Sequence, residues 1–407
     1  MTCSNELIRL SQIGVNAFWN EYLVKKNYYH IFGVTLTIES ASFSVAAHGP
    51  LKTLHHKLFF LKWYLATILN ILYILFTPSV PYKKNISLVP SPSHIKFFPQ
   101  NAQVFRTGIH NFRYLNYPHI ISVLKFSEKL QGFYLAFKNY SIFLESSKQE
   151  CKKRGEAFAI FSRICNINRL RFADLILTYM ALKKSSPNDV KTASQFQATS
   201  SFLSICKEMG LDFHYHGYQH GVFQDVSRSG TYYKLHFDEY TFLYQQSEGW
   251  FTHHLSGNGR CTFNYVLSKT KQDWIKLEKG ACKKAIGFAE GDNTPFQVQI
   301  VNHLKKYCEK RDYMLVLYLH PNPNVSTMAP SGLAKDETVK YFHTERHFNI
   351  DLLVSQRSSL LMDYHNDLGT KILFLPDERD YVCVFSNPNV NVHPSLNGID
   401  KVMDSLL

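Results

Sequence analysis

The stretch that decides the fold is 285–319, AIGFAEGDNTPFQVQIVNHLKKYCEKRDYMLVLYL. It begins with five apolar or small residues, enough for a short strand, and a polar turn at 290–293 follows. Pro295 stands where a helix would begin, and apolar side chains recur at helical spacing until Lys310. The fully apolar run 314–319 is typical of a strand covered on both faces. This order of strand, helix and strand predicts a parallel βαβ unit.

The same pattern recurs towards the C-terminus. Residues 350–354 and 371–375 have the composition of strands, and a helix is predicted between them from about Ser358 to Asp367. Gly369 is the expected stop signal of that helix. Repeated alternation of strands and helices predicts a parallel α/β domain of the nucleotide-binding type.

A similar order is predicted upstream. Residues 174–179, DLILTY, can form a strand, and apolar positions from Phe196 to Cys206 mark one face of a helix. Gly210 would end this helix. Apolar and polar residues then alternate over 211–216, which indicates a second strand.

The loop after this second strand reads GYQHG and runs from Gly217 to Gly221. It would lie at the carboxyl end of a parallel strand, where ligands bind in open α/β sheets. The two glycines are interpreted as turn residues that allow close backbone approach. His220 lies on this turn, whereas His214 and His216 share a strand face. Those two could ligate one metal ion or be ordinary polar strand residues, and no third ligand pattern accompanies them.

Composition restricts the classes of protein. The chain has 407 residues, of which 45% are hydrophobic, enough for two packed domains rather than a disordered protein. A formal charge of +13 favours an anionic partner such as a nucleotide, a phospholipid surface or a nucleic acid. The eight scattered cysteines predict free thiols in a reducing compartment. Because no secretory signal is recognised at the N-terminus, a cytoplasmic location is expected.

The apolar stretch 58–80, LFFLKWYLATILNILYILFTPSV, has the length of a membrane span but contains Lys62 and Asn70. Lysines flank it, and its Trp and Tyr residues suit the headgroup region of a bilayer. Three interpretations remain open, namely a helix docked on a membrane surface, a buried core helix, and a membrane span.

Three short motifs carry a resemblance to a known family. YQHGVF (218–223), LHPNP (319–323) and SQRSSLLMDYHNDLGTKILFLP (355–376) resemble the HG, HP and Ser-Ser elements of GT-B glycosyltransferases that build bacterial surface polymers. This group includes CDP-glycerol glycerophosphotransferases, capsular polysialyltransferases and Kdo transferases. The resemblance covers residues 170–380, about half of the chain. It implies an α/β GT-B fold in which two Rossmann-like domains face each other across a cleft.

The resemblance also implies domain roles and site residues. Residues 1–270 would form the acceptor-side domain and 271–407 the donor-binding domain, with no metal and no cofactor besides the nucleotide-sugar donor. The donor would contact His320, Pro321, Ser358 and Ser359, and Arg357, which departs from the family pattern, could add a bidentate phosphate contact. Hydroxyls and free N–H groups at a helix start independently favour anion binding, although helix capping would explain Ser358 equally well.

Two residues compete for the role of catalytic base. His220 resembles the histidine of the HG element, and an imidazole, with an ordinary pKa of about 6.5, can accept a proton at neutral pH. Glu290, followed by the turn residue Gly291, is similar to the acidic-Gly element of polysialyltransferases. A solvated turn residue is the alternative interpretation of Glu290.

The function implied is transfer of a sugar from a cytidine-activated donor, with a CMP-activated sugar acid such as Kdo or sialic acid favoured. The acceptor would be a lipid-linked or growing capsule or lipopolysaccharide glycan, reached from the inner face of a bacterial inner membrane. Gln356 and Arg357 stand where teichoic-acid enzymes tend to have an aspartate, which weakens a CDP-polyol phosphotransferase but leaves it open. A non-catalytic nucleotide-binding subunit also stays open. No nucleic-acid partner is expected, since no cluster of basic and aromatic residues of the RNA-binding type occurs.

Overall fold

The computed structural model describes most of the chain in segments. These are residues 2–31, 65, 68, 69, 71–89, 98, 102–108, 117–193, 197–219, 231–242, 247–257, 260–265, 276–278, 282–290, 295–319, 339–342, 348–356, 360, 364, 370–375, 390–393 and 395–407. The chain forms two compact units. Unit 1 contains residues 1–220 and 226–265, and unit 2 contains residues 221–225 and 266–407.

Unit 1 is built on a parallel sheet of six strands. Its strands are β1 (Asn85–Val89), β2 (Gln103–Arg106), β3 (Asp189–Ala193), β4 (His214–Tyr218), β5 (Glu239–Phe242) and β6 (Thr262–Tyr265). Its described α-helices include α1 (Thr2–Ile13), α2 (Trp19–Ile31), α3 (Phe126–Lys153), α4 (Phe158–Ile164), α5 (Arg169–Ser185), α6 (Ala198–Glu208) and α7 (Ser247–His254). The strand order β2-β1-β3-β4-β5-β6 is that of a doubly wound α/β sheet, with its order reversing between β1 and β3.

The predicted strand at 174–179 is wrong, because these residues lie inside α5. The side chain of Asn168 caps the helix by accepting a hydrogen bond from the backbone N of Arg171 at 2.9 Å. Nearly every α5 side chain from Phe172 to Leu182 is buried, so the run is apolar all round. A continuous apolar run cannot distinguish a buried helix from a buried strand. The strand of this region is β3 (Asp189–Ala193), which follows α5 in the chain.

The helix and strand predicted next are confirmed as α6 and β4. Gly210, with φ of +92°, follows α6 in the left-handed conformation that glycine adopts without strain. The chain then enters β4 at His214, three residues later than predicted.

Unit 2 is built on a second parallel sheet of six strands. Its strands are β7 (Ala285–Ala289), β8 (Met314–Tyr318), β9 (Val339–Phe342), β10 (Leu352–Ser355), β11 (Lys371–Phe374) and β12 (Val390–Val392), and its α-helices include α8 (Pro295–Arg311) and α9 (Ile399–Leu406). The order β12-β11-β10-β7-β8-β9 is that of dinucleotide-binding folds. The βαβ unit predicted over 285–319 is confirmed as β7-α8-β8, and the predicted α/β class with two Rossmann-like units is confirmed.

The core of unit 2 explains why these residues form strands. Every residue of β7, β8 and β10 is buried, as expected for parallel strands covered on both faces. On one face the apolar side of α8 packs against α9, where Leu304 and Met403 are fully buried. The two helices are also joined by polar contacts, from His303 to Asp400 at 2.6 Å and from Tyr307 to Asp404 at 2.6 Å.

The apolar stretch 58–80 is described from residue 65, with gaps. Residues 65, 68, 69 and 71–76 are helical, and we refer to them as the 65–76 segment. Among the described helices, none is long and apolar enough to cross a membrane. The interpretation as a buried core helix is wrong for this segment, because Leu65, Leu69 and Phe76 are 50%, 65% and 70% exposed.

Candidate functional site

The strand order of unit 2 brings two strand ends together at its topological switch point. β7 and β10 are neighbours, with Ala289 paired with Ser355, yet they lead into opposite halves of the sheet. The Ser355 hydroxyl donates to the backbone oxygen of Ala289 at 2.9 Å and ties the two ends to each other. Ligands of open α/β sheets bind at the carboxyl ends of such strands. The residues that follow β7 and β10 therefore belong to the candidate site.

Glu290 is the first residue after β7. Its backbone N–H donates to the carbonyl of Tyr318 at 2.9 Å, which extends the pairing with β8 by one step. The residue is 3% exposed, so the interpretation as a solvated turn residue is wrong. Burying a carboxylate is costly unless polar groups surround it. Glu290 therefore stays a candidate site residue at the switch point.

Two buried glutamine side chains add hydrogen-bonding groups at this edge of the sheet. Gln356, the first residue after β10, is fully buried, and so is Gln297 in the first turn of α8. A glutamine amide can donate two hydrogen bonds and accept others, which suits a polar ligand. Sequence reasoning assigned Gln356 no role, although its position directly after a buried strand is a usable signal.

A buried tyrosine pair lies beside the candidate site and was not anticipated from the sequence. The hydroxyl of Tyr318, at the end of β8, lies 2.7 Å from that of Tyr364. Tyr364 in turn donates to the backbone oxygen of Phe348 at 2.8 Å and accepts from its N–H at 2.9 Å. Burial raises the pKa of Tyr318, so its hydroxyl stays protonated at neutral pH. Tyr364 thereby fixes the chain six residues after Ser358.

The residues predicted to contact the donor lie outside the described residues. They are His320, Pro321, Arg357, Ser358 and Ser359, together with the predicted turn residue Gly291. The strands that lead to them are described, up to the buried Leu319 after β8 and up to Gln356 after β10. Their contacts with a donor stay predictions.

In unit 1, β4 carries the histidines that the sequence singled out. His216 is almost completely buried, and its ring stacks on Tyr218 with 4.2 Å between centroids. Its Nε2 lies 2.8 Å from the Thr241 hydroxyl and 3.5 Å from a carboxylate oxygen of Glu239. Burial, with a smaller effect of the nearby charge of Lys191, lowers the pKa of His216 to about 3. The imidazole is therefore neutral at physiological pH.

The prediction that Gly217 lies in the loop after β4 is wrong, because this residue lies inside β4. A Cβ at this position would come within 2.4 Å of the Phe237 ring and 2.6 Å of the Tyr240 ring. Glycine is required here by the aromatic side chains of the neighbouring strand region, and not by a turn. His220 and Gly221, also predicted on the turn, lie outside the described residues.

His214 and His216 do share a strand face. His214 is exposed and lies 3.5 Å from a carboxylate oxygen of Asp189 and 3.8 Å from one of Glu239. Within the described segments, no group of three or more His, Cys, Asp or Glu residues could hold a metal ion. The cysteines described there, at 151, 165, 206, 261, 282 and 308, are free thiols. These contacts fit the interpretation of the two histidines as polar strand residues.

A second buried polar group in unit 1 escaped sequence reasoning. Arg106, the last residue of β2, is fully buried, and His119 is 1% exposed. His119 Nε2 lies 3.8 Å from a carboxylate oxygen of Asp174, and its Nδ1 accepts from a backbone N–H at 3.2 Å. Burial, together with the Arg106 charge, lowers the pKa of His119 well below the ordinary value. These three residues are distant in sequence, so no local pattern could have grouped them.

Comparison with known proteins does not assign the chain to a family. No family model matches the chain, and no curated protein does. The solved structure of the glycotransferase of kitacinnamycin is similar with a TM-score of 0.41 and 10% identity, covering 79% of this chain and 89% of that one. A putative UDP-N-acetylglucosamine 2-epimerase from Listeria monocytogenes is similar with a TM-score of 0.37 and 11% identity, covering 73% of this chain and 80% of that one. Likenesses this weak say nothing about activity.

Proposed function

We propose that the protein is a glycosyltransferase that takes its sugar from a nucleotide-activated donor bound to unit 2. The observation that carries the proposal is the strand order of unit 2, in which β7 and β10 end side by side at the switch point. The segments that follow these two strands are those in which the sequence motifs lie, Glu290 after β7 and residues 357–359 after β10. Nucleotides bind at this position in doubly wound sheets.

The proposed reaction is a displacement at the anomeric carbon of the donor sugar. The oxygen of an acceptor hydroxyl forms the new bond to that carbon, and the bond from the carbon to the donor phosphate breaks. The base accepts the hydroxyl proton, and the nucleotide leaves with the bonding electrons. Ser358 and Ser359, at the start of a predicted helix, would donate hydrogen bonds to the departing phosphate, where charge develops.

The finer parts of the proposal come from the motif resemblance. A cytidine donor, with a CMP-activated sugar acid favoured, and a lipid-linked or growing surface glycan as acceptor follow from the HG, HP and Ser-Ser elements. The formal charge of +13 agrees with an acidic donor and an anionic surface but does not choose among nucleotides.

Donor binding is tested by thermal unfolding with CMP, CDP, UDP and GDP. A ligand at a hundred times its Kd stabilises the native state by about 2.7 kcal/mol, which gives a shift of several degrees. The double variant Ser358→Ala/Ser359→Ala should lose the shift. The matched control is Ser405→Ala, which removes an exposed hydroxyl of α9 that bonds only within its own helix turn. If no nucleotide stabilises the wild-type protein, the proposal is wrong; if UDP alone does, only the cytidine donor is wrong.

The base is identified by two variants that each remove one candidate proton acceptor, Glu290→Gln and His220→Asn. Loss of general-base catalysis lowers kcat by about 10²–10⁴-fold, while the nucleotide-induced thermal shift should remain. His320→Ala should abolish transfer without unfolding the protein, because it removes a predicted donor contact. Donor binding without any turnover in the wild-type protein would instead identify a non-catalytic nucleotide-binding subunit.

A further inference from the structure

Exposed apolar side chains are concentrated in two stretches of unit 1. Of the fourteen large hydrophobic side chains that are exposed in the described residues, eleven belong to residues 65–82 and 126–137. Monomeric soluble proteins rarely expose apolar side chains in such concentration without a partner. We call the exposed apolar side chains of residues 65–76 and 126–137 the apolar patch.

The apolar patch is continuous across two helices. In α3, Phe126, Leu130 and Phe137 are each 46–47% exposed and recur at helical spacing on one face. The Phe126 ring stacks on the ring of Phe76, with 5.7 Å between centroids, and so joins α3 to the 65–76 segment. Beneath this contact, the buried Lys129 amine donates to the backbone oxygens of Ile74 at 2.7 Å and Thr77 at 2.8 Å.

The patch is not the core-facing side of α3. That side is formed by Gly132, Ala136 and Phe143, which are buried against α5; a Cβ on Gly132 would come within 2.3 Å of Leu177. α3 thus carries exposed apolar side chains on a second face over its first three turns, in addition to the face that packs on α5. The second face needs another partner.

Charge identifies the chemistry of that partner. Of the described residues from 65 to 127, none is Asp or Glu, whereas Lys83, Lys84 and Lys125 are exposed, and Lys125 directly precedes Phe126 of the patch. Glu128 is paired with Lys184 at 2.6 Å. Arg169 holds its guanidinium 5.7 Å from the Phe137 ring, at the border of the patch. Apolar side chains bordered by basic residues match an anionic bilayer surface.

A second copy of the chain fits the same patch less well. In a two-fold dimer, identical surfaces face each other, so the basic border of one copy would meet that of the other. Juxtaposed like charges disfavour such a contact, whereas anionic lipid headgroups neutralise the same lysines and arginines.

We propose that the apolar patch is a membrane-docking surface, which inserts into the interfacial region of an anionic bilayer without spanning it. Tyr73 of the 65–76 segment lies 5.9 Å from the guanidinium of Arg106, the last residue of β2. Docking would therefore hold the carboxyl edge of the unit 1 sheet near the lipid. Delivery of a lipid-linked acceptor to that edge rests on the proposed function, whereas docking itself does not.

The test is co-sedimentation with phosphatidylcholine vesicles that contain or lack phosphatidylglycerol, without any nucleotide. The wild-type protein should bind the anionic vesicles, bind neutral ones more weakly, and lose affinity as salt increases. The variant Leu130→Glu/Phe137→Glu should bind at least about tenfold more weakly. Its matched control is Val298→Glu/Val392→Glu, which replaces two exposed valines of unit 2 with the same change in charge and should retain most of the binding.

Other outcomes overturn the proposal. It is wrong if the wild-type protein does not bind anionic vesicles, or if both double variants bind them equally well. It is also wrong if sedimentation velocity shows a wild-type dimer that Leu130→Glu/Phe137→Glu dissociates while vesicle binding persists, since the patch would then contact a second copy. Thermal unfolding of both variants checks that the fold is retained. Vesicle binding without nucleotide binding or sugar transfer would leave docking intact and refute only the proposed function.

Discussion

Gly217→Ala should destabilise the protein strongly, because this glycine is required by packing. The new Cβ would lie 2.4 Å from Cε1 of Phe237 and 2.6 Å from Cδ2 of Tyr240, distances that real Cβ atoms essentially never show. Both rings are at most 1% exposed, so neither can swing into solvent. Overpacking of this kind costs about 1–3 kcal/mol, and the upper part of that range applies where two rigid rings are involved.

The matched control is Gly249→Ala in α7, where a Cβ would meet nothing within 4 Å. Replacing a helical glycine with alanine stabilises by about 0.5–1 kcal/mol, so the two Gly→Ala changes should have opposite signs. Urea unfolding followed by circular dichroism measures both, with unchanged m-values as the check on two-state behaviour. The double variant Gly217→Ala/Phe237→Leu should be more stable than the sum of its single changes predicts, because the smaller side chain makes room for the methyl group. A Gly217→Ala protein as stable as the wild type, or strict additivity in the double variant, would refute the packing argument.

Three further outcomes are expected from the described contacts. Tyr364→Phe should lower the free energy of unfolding by about 1–3 kcal/mol in urea titrations, since the Tyr318 hydroxyl and the Phe348 N–H lose the partner that they share. A Tyr318→Phe change removes only the end of the network and should lower it less. The contribution of His216 to stability is fully present above about pH 6.5 and is lost progressively towards pH 3, because in this window the unfolded imidazole binds a proton and the folded one does not. His216→Asn should therefore reduce the slope of the unfolding free energy against pH between these values. An unchanged slope would contradict this expectation. Lys129→Met removes the two hydrogen bonds that hold the 65–76 segment on α3, so amide exchange should accelerate in that segment but not in unit 2, and equal exchange would show that the amine is dispensable.

The sequence predicted those elements for which local signals agree. Pro295 at a helix start, apolar positions at a regular helical spacing and a short apolar run before and after it specify β7-α8-β8, which the structure confirms. The stretch 174–179 lacked such agreement. Its apolar run suits a buried helix as well as a buried strand, and the capping contact of Asn168 that decides between them depends on the side-chain geometry of one residue.

The candidate site was predictable only in part, for a related reason. Strand ends could be located from the sequence, and Glu290 was singled out at one of them. The neighbour relation of β7 and β10, which brings Glu290 and Gln356 to one switch point, is set by the order of strands in the sheet. The Tyr318–Tyr364 pair and the reason for Gly217 are likewise contacts between distant segments, which no local pattern encodes.

The contacts between α8 and α9 have a consequence for how unit 2 can respond to a ligand. Asp400 and Asp404 hold His303, Tyr307 and Arg311, which lie from the middle of α8 to its end, whereas the first turn of α8 lies at the carboxyl edge of β7. These contacts, with the buried Leu304 and Met403, hold the far half of the helix, so we expect a movement of its first turn to be a tilt rather than a slide along the helix axis. If a nucleotide binds there, as proposed, it would change the tilt of α8 slightly at its first turn. The amide hydrogen exchange rates of the last two turns would stay unchanged.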